Sequence, residues 1–382
     1  MTGGTGTGDA KRATWFQRYL LPGFALKAVI IGGGYATGRE LAEFFMPSGP
    51  WGGLLAMGLA MLIWSVVAAI SFALAHHWQA LDYRSFFQNL LGPAWPLFEL
   101  AYVVFVVLIL AVFGAAAGAI GAATFGWPPV AGTVLLAAAI LLATAPGEAA
   151  VEILFRYASF LIYATYIIFI IFAFFQLGDR IESGLGSQPA IKPGWFGGGV
   201  TYAAYNIVGA VVVLPVLRHL GSRREALIAG AIAGPLAMLP ALLFFLAMLA
   251  FYPAIGDAAL PSEVLLNAIA VPWLGLLFQV MIFAALWESG VGAVHAINER
   301  IAGALVARGR PAPGLGGRLL SGGGILAGCM LVAVEVGLVD LIAQGYRFLA
   351  WLFLAVYLLP LLTIGVYRLF TTRPSPVSEP LP

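Results

Sequence analysis

Three consecutive glycines, Gly32, Gly33 and Gly34, interrupt a long apolar segment near the N-terminus of the chain. Glycine leaves helical geometry at low backbone cost and lets other groups approach the main chain closely. An interrupted helix exposes amide N–H groups on one side and carbonyl oxygens on the other, which attract anions and cations respectively. The pattern predicts a solute-binding break, with Tyr35 and Thr37 as further contacts and Gly32 also serving a coupling ion. Close helix packing, which uses small residues too, is the alternative.

Charged residues follow this break within a few positions: Arg39, Glu40 and Glu43. Arg39 and Glu43 are four residues apart, so they share a helix face and we expect them to pair. Continuous helix would place Glu40 roughly 9 to 12 Å beyond the glycines, toward an outer vestibule. The three residues are therefore predicted to form a gate or a structural ion pair, with substrate contact by Glu40 an equal alternative.

A second group of polar residues lies in the apolar run 198–219. Tyr202 and Asn206 share a helix face, Tyr205 is adjacent, and Gly209 follows. Asn206 and Gly209 are the expected place for a second break. Phenol and amide groups there can both donate and accept hydrogen bonds, so we predict contacts with the substrate. Hydrogen bonding between helices is the alternative role.

Glu288 is the strongest single acidic candidate, because an ionisable group at membrane depth is expensive and is a functional hypothesis by default. It could carry a coupling proton, or its carboxylate and the Ser289 hydroxyl could bind sodium. A third possibility is a salt bridge to Lys27 or another cation; Lys27 otherwise extends its ammonium toward the membrane interface. His295 lies two turns further along a similar face, and a contact at an inner gate is expected for it, with proton transfer as the alternative.

The composition indicates that these residues belong to an integral membrane protein. Of 382 residues, 62% are hydrophobic and 9% are charged, whereas a soluble domain carries about 25% charged residues. The basic residues are dispersed, which argues against nucleic-acid binding. The single cysteine, Cys329, excludes a disulfide framework or a cysteine metal cluster.

Apolar runs of about 20 residues are candidate membrane spans. Ten are predicted, at 20–46, 51–75, 95–124, 128–145, 153–177, 198–219, 225–252, 273–303, 318–337 and 345–370. A short surface helix beginning at a Ser262 cap is expected between the seventh and eighth.

The ten spans form two sets of five, and each set begins with a helix predicted to be broken. Because five is an odd number, the two sets must cross the membrane in opposite orientations. Interrupted helices at corresponding positions of two halves indicate a transporter binding site. The organisation expected is a cytoplasmic tail (1–19), a first five-helix repeat (20–177), an external connection (178–197), a second inverted repeat (198–370) and a cytoplasmic tail (371–382).

Orientation follows from the basic residues. With the N-terminus in the cytoplasm, the predicted outside segments carry only Arg180, Lys192 and Arg347 of the 19 Lys and Arg residues. Positive charge is concentrated on the cytoplasmic side of membrane proteins. We therefore predict a cytoplasmic (inner) membrane protein with both termini in the cytoplasm.

At the first break the chain resembles a known family. The run from Gly32 to Glu40, Gly-Gly-Gly-Tyr-Ala-Thr-Gly-Arg-Glu, resembles Gly-Ala-Gly-Phe-Ala-Ser-Gly-Gln-Glu near the N-terminus of the YkvI-type bacterial membrane proteins. Tyr205-Asn206 and the segment 296–300 are similar too. The resemblance implies the amino acid–polyamine–organocation superfamily, with its LeuT-type five-plus-five inverted repeat and broken helices 1 and 6. It also implies a sodium site between helices 1 and 8, at which Ser289 is the matching hydroxyl. Arg39 stands where the family usually has glutamine.

The sequence therefore predicts an all-α secondary active transporter and not an enzyme. It would move a small polar solute (an amino acid, amine or organic cation) by alternating access, coupled to sodium or a proton and with no other cofactor. It would act in the bilayer as a monomer or homodimer. A channel is the nearest alternative; an intramembrane enzyme or a transporter-like sensor is less favoured. No Gly-x-x-x-x-Gly-Lys-Ser/Thr phosphate loop is present.

Overall fold

The computed structural model describes residues 13–144, 148–306 and 308–371, and within these ranges the chain is helical and has no β-strand. The α-helices are α1 (Trp15–Tyr19), α2 (Leu21–Ile30), α3 (Gly33–Ala36), α4 (Arg39–Phe44), α5 (Gly49–Trp78), α6 (Tyr83–Leu91), α7 (Pro96–Phe125), α8 (Pro129–Thr144), α9 (Glu148–Gly186), α10 (Trp195–Asn206), α11 (Gly209–Val212), α12 (Arg223–Met248), α13 (Pro261–Ile269), α14 (Pro272–Val306), α15 (Leu315–Val336), α16 (Leu338–Asp340), α17 (Tyr346–Phe353) and α18 (Val366–Thr371).

Seven stretches of the described chain are long and apolar enough to cross a membrane, so the protein is a multi-pass membrane protein. They are Arg39–Trp78, Pro96–Phe125, Phe160–Gly186, Arg223–Phe251, Pro272–Gly303, Leu315–Val336 and Leu338–Thr371. The count differs from the ten predicted. The predicted spans 20–46 and 198–219 are divided into short helices, and α8 has only 16 residues. Interruption therefore accounts for two of the missing long helices.

Small residues hold the first group of helices together. Helix α12 packs along α5, α10 packs on α5, and α2 packs on α12. At Gly234 of α12 an added Cβ would meet the Ser65 side chain and the Met61 carbonyl of α5. A Cβ added at Gly199 of α10 would likewise meet the Ala56 carbonyl of α5. Each interrupted helix therefore packs closely on a continuous one: α2 on α12, and α10 on α5.

A second group consists of α7, α8, α14 and α15, which pack on one another. Helices α7 and α8 approach so closely that a Cβ at Gly132 would meet the Ala117 carbonyl. The Thr133 hydroxyl donates a hydrogen bond of 2.9 Å to the Gly114 carbonyl across the same contact. Each group thus takes its members from both halves of the chain: α2 and α5 with α10 and α12, and α7 and α8 with α14 and α15.

The connection between α12 and α14 contains α13, which begins at Pro261 with Leu260 as the preceding cap residue. The predicted Ser262 cap is therefore wrong. Ser262 is buried in the first turn, and its backbone N–H donates a 3.0 Å hydrogen bond to the Thr37 carbonyl of the first broken helix. A tertiary contact with another helix, and not a local cap, determines how α13 starts.

Candidate functional site

The first predicted break is present, and a helix of the second group supports it. Helix α2 ends at Ile30, Ile31 and Gly32 are not helical, and α3 begins at Gly33. A Cβ added to Gly32 would lie 3.2 Å from the ring of Phe113 on α7. A larger residue at position 32 would therefore push the break away from α7.

The same helix is interrupted again at Thr37 and Gly38, which the sequence did not predict. Gly38 has φ = +81°, in the left-handed region that favours glycine. The Thr37 hydroxyl donates a 3.1 Å hydrogen bond to the Gly34 carbonyl, while α13 binds the Thr37 carbonyl from outside. A side chain at position 38 would also meet Phe244 and Pro261. The interruption is thus held by residues far away in sequence.

Glu40, in the first turn of α4, is buried, with 3% of its surface exposed. The Tyr205 hydroxyl donates a 2.5 Å hydrogen bond to its Oε2 atom, and the backbone N–H of Tyr35 donates to the same carboxylate. The carboxylate lies against Gly34, where an added Cβ would clash with Oε1. Glu40 therefore lies at the first break, and not beyond it as continuous helix geometry predicted. The turn at Gly38 is the reason, because it redirects the chain.

The second broken helix is interrupted where the sequence placed the break. Helix α10 ends at Asn206, two residues follow, and α11 begins at Gly209. A Cβ at Gly209 would lie 2.8 Å from the Leu26 side chain of α2, so the two broken helices touch there. The Asn206 amide donates a 3.1 Å hydrogen bond to the Tyr202 carbonyl one turn earlier. Asn206 thereby satisfies a carbonyl near the end of its own helix.

Aromatic rings surround Tyr205, the phenol that donates to the Glu40 carboxylate. The Tyr205 ring centroid lies 4.4 Å from that of Tyr346 and 5.6 Å from that of Tyr202. Tyr202 in turn contacts Phe45 at 4.7 Å and Trp64 at 5.5 Å. Its hydroxyl is buried and has no hydrogen-bond partner among the described residues. The sequence analysis did not identify Tyr346 or Trp64, because aromatic residues are common in all the apolar helices.

A charged cluster lies just after the interruption at Gly38. It is formed by Arg39, Glu43 and Arg347. The Arg39 guanidinium donates to Glu43 Oε2 at 2.8 Å and to the carbonyls of Gly256 and Ala258 at 2.8 and 2.9 Å. Arg347, just inside α17, reaches Glu43 Oε1 at 3.4 Å. The cluster therefore joins α4 to the connection before α13 and to the last span.

Glu288 and Ser289 of α14 line a cavity of about 380 Å³. Helices α2, α7, α9 and α11 supply its other walls, and Ile31 at the first break and Tyr163 of α9 are among the lining residues. The structure therefore brings the carboxylate and hydroxyl proposed for ion coupling beside the first broken helix. His295 is half-buried on the same helix and is not among the described residues that line this cavity.

Lys27 of α2 is buried, with 8% of its surface exposed. Its Nζ atom lies 3.7 Å from the centroid of the Tyr163 ring, a close cation–π contact. It lines a second cavity of about 300 Å³, together with Tyr35 and Tyr166. Tyr163 and Ile31 line both cavities, so the cavity that Lys27 lines adjoins the one that Glu288 lines.

The described residues contain no group of three His, Cys, Asp or Glu side chains placed to hold a metal ion. Oxygen atoms suited to a hard cation are instead found at Glu288 and Ser289, with the carbonyls of the helix break nearby. The two sets of candidate residues are thus separate: Glu40 with its tyrosines at the junction of the broken helices, and Glu288 with Ser289 in the larger cavity.

Comparison with known proteins identifies the fold. MhsT in complex with L-phenylalanine superposes with a TM-score of 0.61 at 16% identity, over 94% of this chain and 97% of that one. A Na⁺-coupled sialic acid symporter, in a substrate-bound outward-open state, gives a TM-score of 0.59 at 12% identity, over 94% and 82%. No protein-family model matches the sequence, and no curated protein matches it either. Both structural neighbours have the LeuT fold, which confirms the predicted all-α, LeuT-type fold class but not the count of ten spans.

Proposed function

We propose that the protein is a secondary active transporter that moves a small polar solute across the membrane by alternating access. The observation that carries the proposal is the Tyr205–Glu40 hydrogen bond, which joins the two broken helices at their interruptions. Interrupted helices that meet near the middle of a membrane protein provide backbone and side-chain groups for a solute. Gly32, Gly33, Gly34, Tyr35, Thr37, Tyr202, Tyr205, Asn206 and Gly209 are the residues proposed to form this site.

The charged cluster supports a role in closing one end of the pathway. Arg39 bonds to the connection before α13, and Glu43 bonds to both Arg39 and Arg347. With the N-terminus in the cytoplasm, this end faces the exterior. The cavity beside Glu288 would then be the cytoplasmic branch of the pathway, with His295 near its inner end. Opening the exterior branch would require the charged cluster to separate.

The ion that drives transport is proposed to bind at Glu288 and Ser289, as sodium or as a proton. Both residues line the cavity next to Ile31, where the first helix is interrupted. A carboxylate, a hydroxyl and main-chain carbonyls are ligands that sodium accepts, while the carboxylate alone can carry a proton. Lys27, against the Tyr163 ring, remains a candidate gate residue.

The finer classification is also a proposal. The motif from Gly32 to Glu40 supports a relationship to the YkvI-type proteins, and the basic residues support an inner-membrane location with both termini in the cytoplasm. The pairing of helices between the two halves supports repeats at 20–177 and 198–370, with 178–197 as the external connection. A monomer or a homodimer is compatible with this organisation.

Transport into proteoliposomes tests the function directly. Purified protein would be reconstituted and supplied with a labelled panel of amino acids, amines and other organic cations under an inward sodium gradient, a pH gradient or neither. We expect accumulation of at least one solute that requires one of the two gradients. Ser289→Ala should abolish sodium-driven accumulation if sodium is the coupling ion, whereas Glu288→Gln should abolish pH-driven accumulation if a proton is.

Electrical recording from the same membranes tests the channel alternative. Unitary conductance steps, with solute flux that never exceeds equilibrium, would show that the protein is a channel.

The accumulation experiment has a matched control for the Glu288 and Ser289 variants. Glu335→Gln removes an exposed carboxylate from α15 and should leave accumulation unchanged.

A further inference from the structure

Three charged side chains are buried among the described residues: Lys27, Arg39 and Glu40. Arg39 is paired with Glu43 and bonded to two carbonyls. Lys27 lies against the Tyr163 ring in a separate cavity. No ion pair of the described residues includes Glu40, although Glu43, Glu99, Glu225 and Glu299 each pair with an arginine. Glu40 is thus the one buried carboxylate among the described residues, and no cation there is paired with it.

The partners that Glu40 does have are neutral. A phenol and a backbone amide stabilise the carboxylate by hydrogen bonds but do not balance its charge. A buried charge is costly unless an opposite charge accompanies it. Arg39, next in sequence, does not supply that charge, because its guanidinium is directed to Glu43 and to the carbonyls of Gly256 and Ala258.

The rings packed around the phenol partner of this carboxylate are of a kind that attracts a cation. Tyr205 is flanked by the rings of Phe44, Tyr202 and Tyr346, at centroid distances of 5.8, 5.6 and 4.4 Å. Aromatic faces attract alkylammonium groups, and the attraction grows when water is excluded. The Tyr202 hydroxyl, buried without a described partner, provides an additional oxygen near the same rings.

We infer that the transported solute carries an ammonium group, and that Glu40, with the rings of Tyr202, Tyr205 and Tyr346, is the subsite that binds it. The inference rests on the proposed transport function and narrows its solute to an organic amine or an amino compound. The ammonium supplies the positive charge that Glu40 lacks. It must share or displace the Tyr205 hydrogen bond, so its binding loosens the link between the two broken helices.

Binding by the detergent-purified protein tests this inference. The probes are propylamine, ethanolamine, phenethylamine and tyramine, each compared with the alcohol of the same carbon skeleton, with Tm as the measured quantity. At least one amine should raise Tm while its alcohol does not. Glu40→Gln should weaken that binding roughly 30-fold or more, as truncation of a buried charge partner does. Glu335→Gln, on exposed surface, should bind as the unmodified protein does.

A second variant keeps the inference testable if Glu40→Gln does not fold. Tyr346→Leu keeps the carboxylate but removes one ring, and should weaken amine binding by a few-fold to about 30-fold. Failure of every amine to raise Tm, or equal amine binding by Glu40→Gln, would overturn the inference. So would pH-driven accumulation of an uncharged solute that is lost in Glu40→Gln, because Glu40 would then carry a proton.

The two proposals fail in different ways. If proteoliposomes accumulate an anionic or uncharged solute and no amine, the transporter function stands and the ammonium subsite is wrong. If amines bind in a Glu40-dependent manner but no solute is accumulated under either gradient, the subsite stands and secondary active transport is wrong.

Discussion

Two carboxylates on the same six-residue helix, Glu40 and Glu43, have opposite surroundings. The side chain of Glu43 is 16% exposed and accepts bonds from Arg39 and Arg347. Glu40 is more deeply buried and is bonded to a phenol and an amide, with no described cation. With the proposed ammonium subsite, α4 would separate two tasks: Glu43 is neutralised by the protein and ties helices together, whereas Glu40 would meet its counter-charge on the solute.

The largest expected effect comes from removing the cation of the charged cluster. Arg39→Leu leaves two carbonyls, at Gly256 and Ala258, without their described side-chain donor and takes one of two cations from Glu43. Loss of one partner of a buried ion pair typically costs about 3–5 kcal/mol. We expect a large fall in Tm and loss of transport. A Tm within 1 °C of that of the unmodified protein would show that the cluster contributes no stability.

Hydrogen bonding to Glu40 is tested by two tyrosines one turn apart. Tyr205→Phe removes the donor to a buried carboxylate, a bond of a kind worth about 1.5–3 kcal/mol. Tyr202→Phe is the matched control, because its hydroxyl has no partner among the described residues. Tm should fall clearly for the first variant and remain nearly unchanged for the second. Equal effects would mean that the phenols act through packing alone.

The sequence predicted the two breaks because their signals are local. Adjacent glycines at Gly32 to Gly34, and Asn206 with Gly209, interrupt otherwise uniform apolar runs. It did not predict the second interruption at Gly38, which depends on contacts with Phe244 and α13. The position of Glu40 was misjudged for that reason, since a straight helix was assumed. The all-α membrane class thus followed from composition and apolar runs and the LeuT-type arrangement from the family resemblance, while the geometry of the site depends on long-range contacts.

The space for the Glu40 carboxylate depends on a glycine. Gly34→Ala would place a Cβ against Oε1, and overpacking of this kind typically costs about 1–3 kcal/mol. We expect a moderate fall in Tm and a larger loss of solute accumulation, because the carboxylate must move. Gly58→Ala is the matched control: nothing lies within 4 Å of an added Cβ there, and alanine favours the helix by about 1 kcal/mol. Unchanged accumulation by Gly34→Ala would show that the present position of the carboxylate is not required.

The smallest effect is expected at the outer rim of the charged cluster. The Arg347 side chain is 61% exposed, and its contact with Glu43 is 3.4 Å. Exposed pairs contribute roughly 0.2–1 kcal/mol, and salt screens them. Arg347→Gln should therefore lower Tm slightly in low salt and hardly at all in high salt, whereas the effect of Arg39→Leu should persist in both. Since Arg39 is 5% exposed, an equal salt dependence of the two variants would contradict the view that Glu43 has one structural partner and one adjustable one. If Arg347→Gln also speeds solute release to the exterior without changing Tm, the adjustable contact is the part of the cluster that opens.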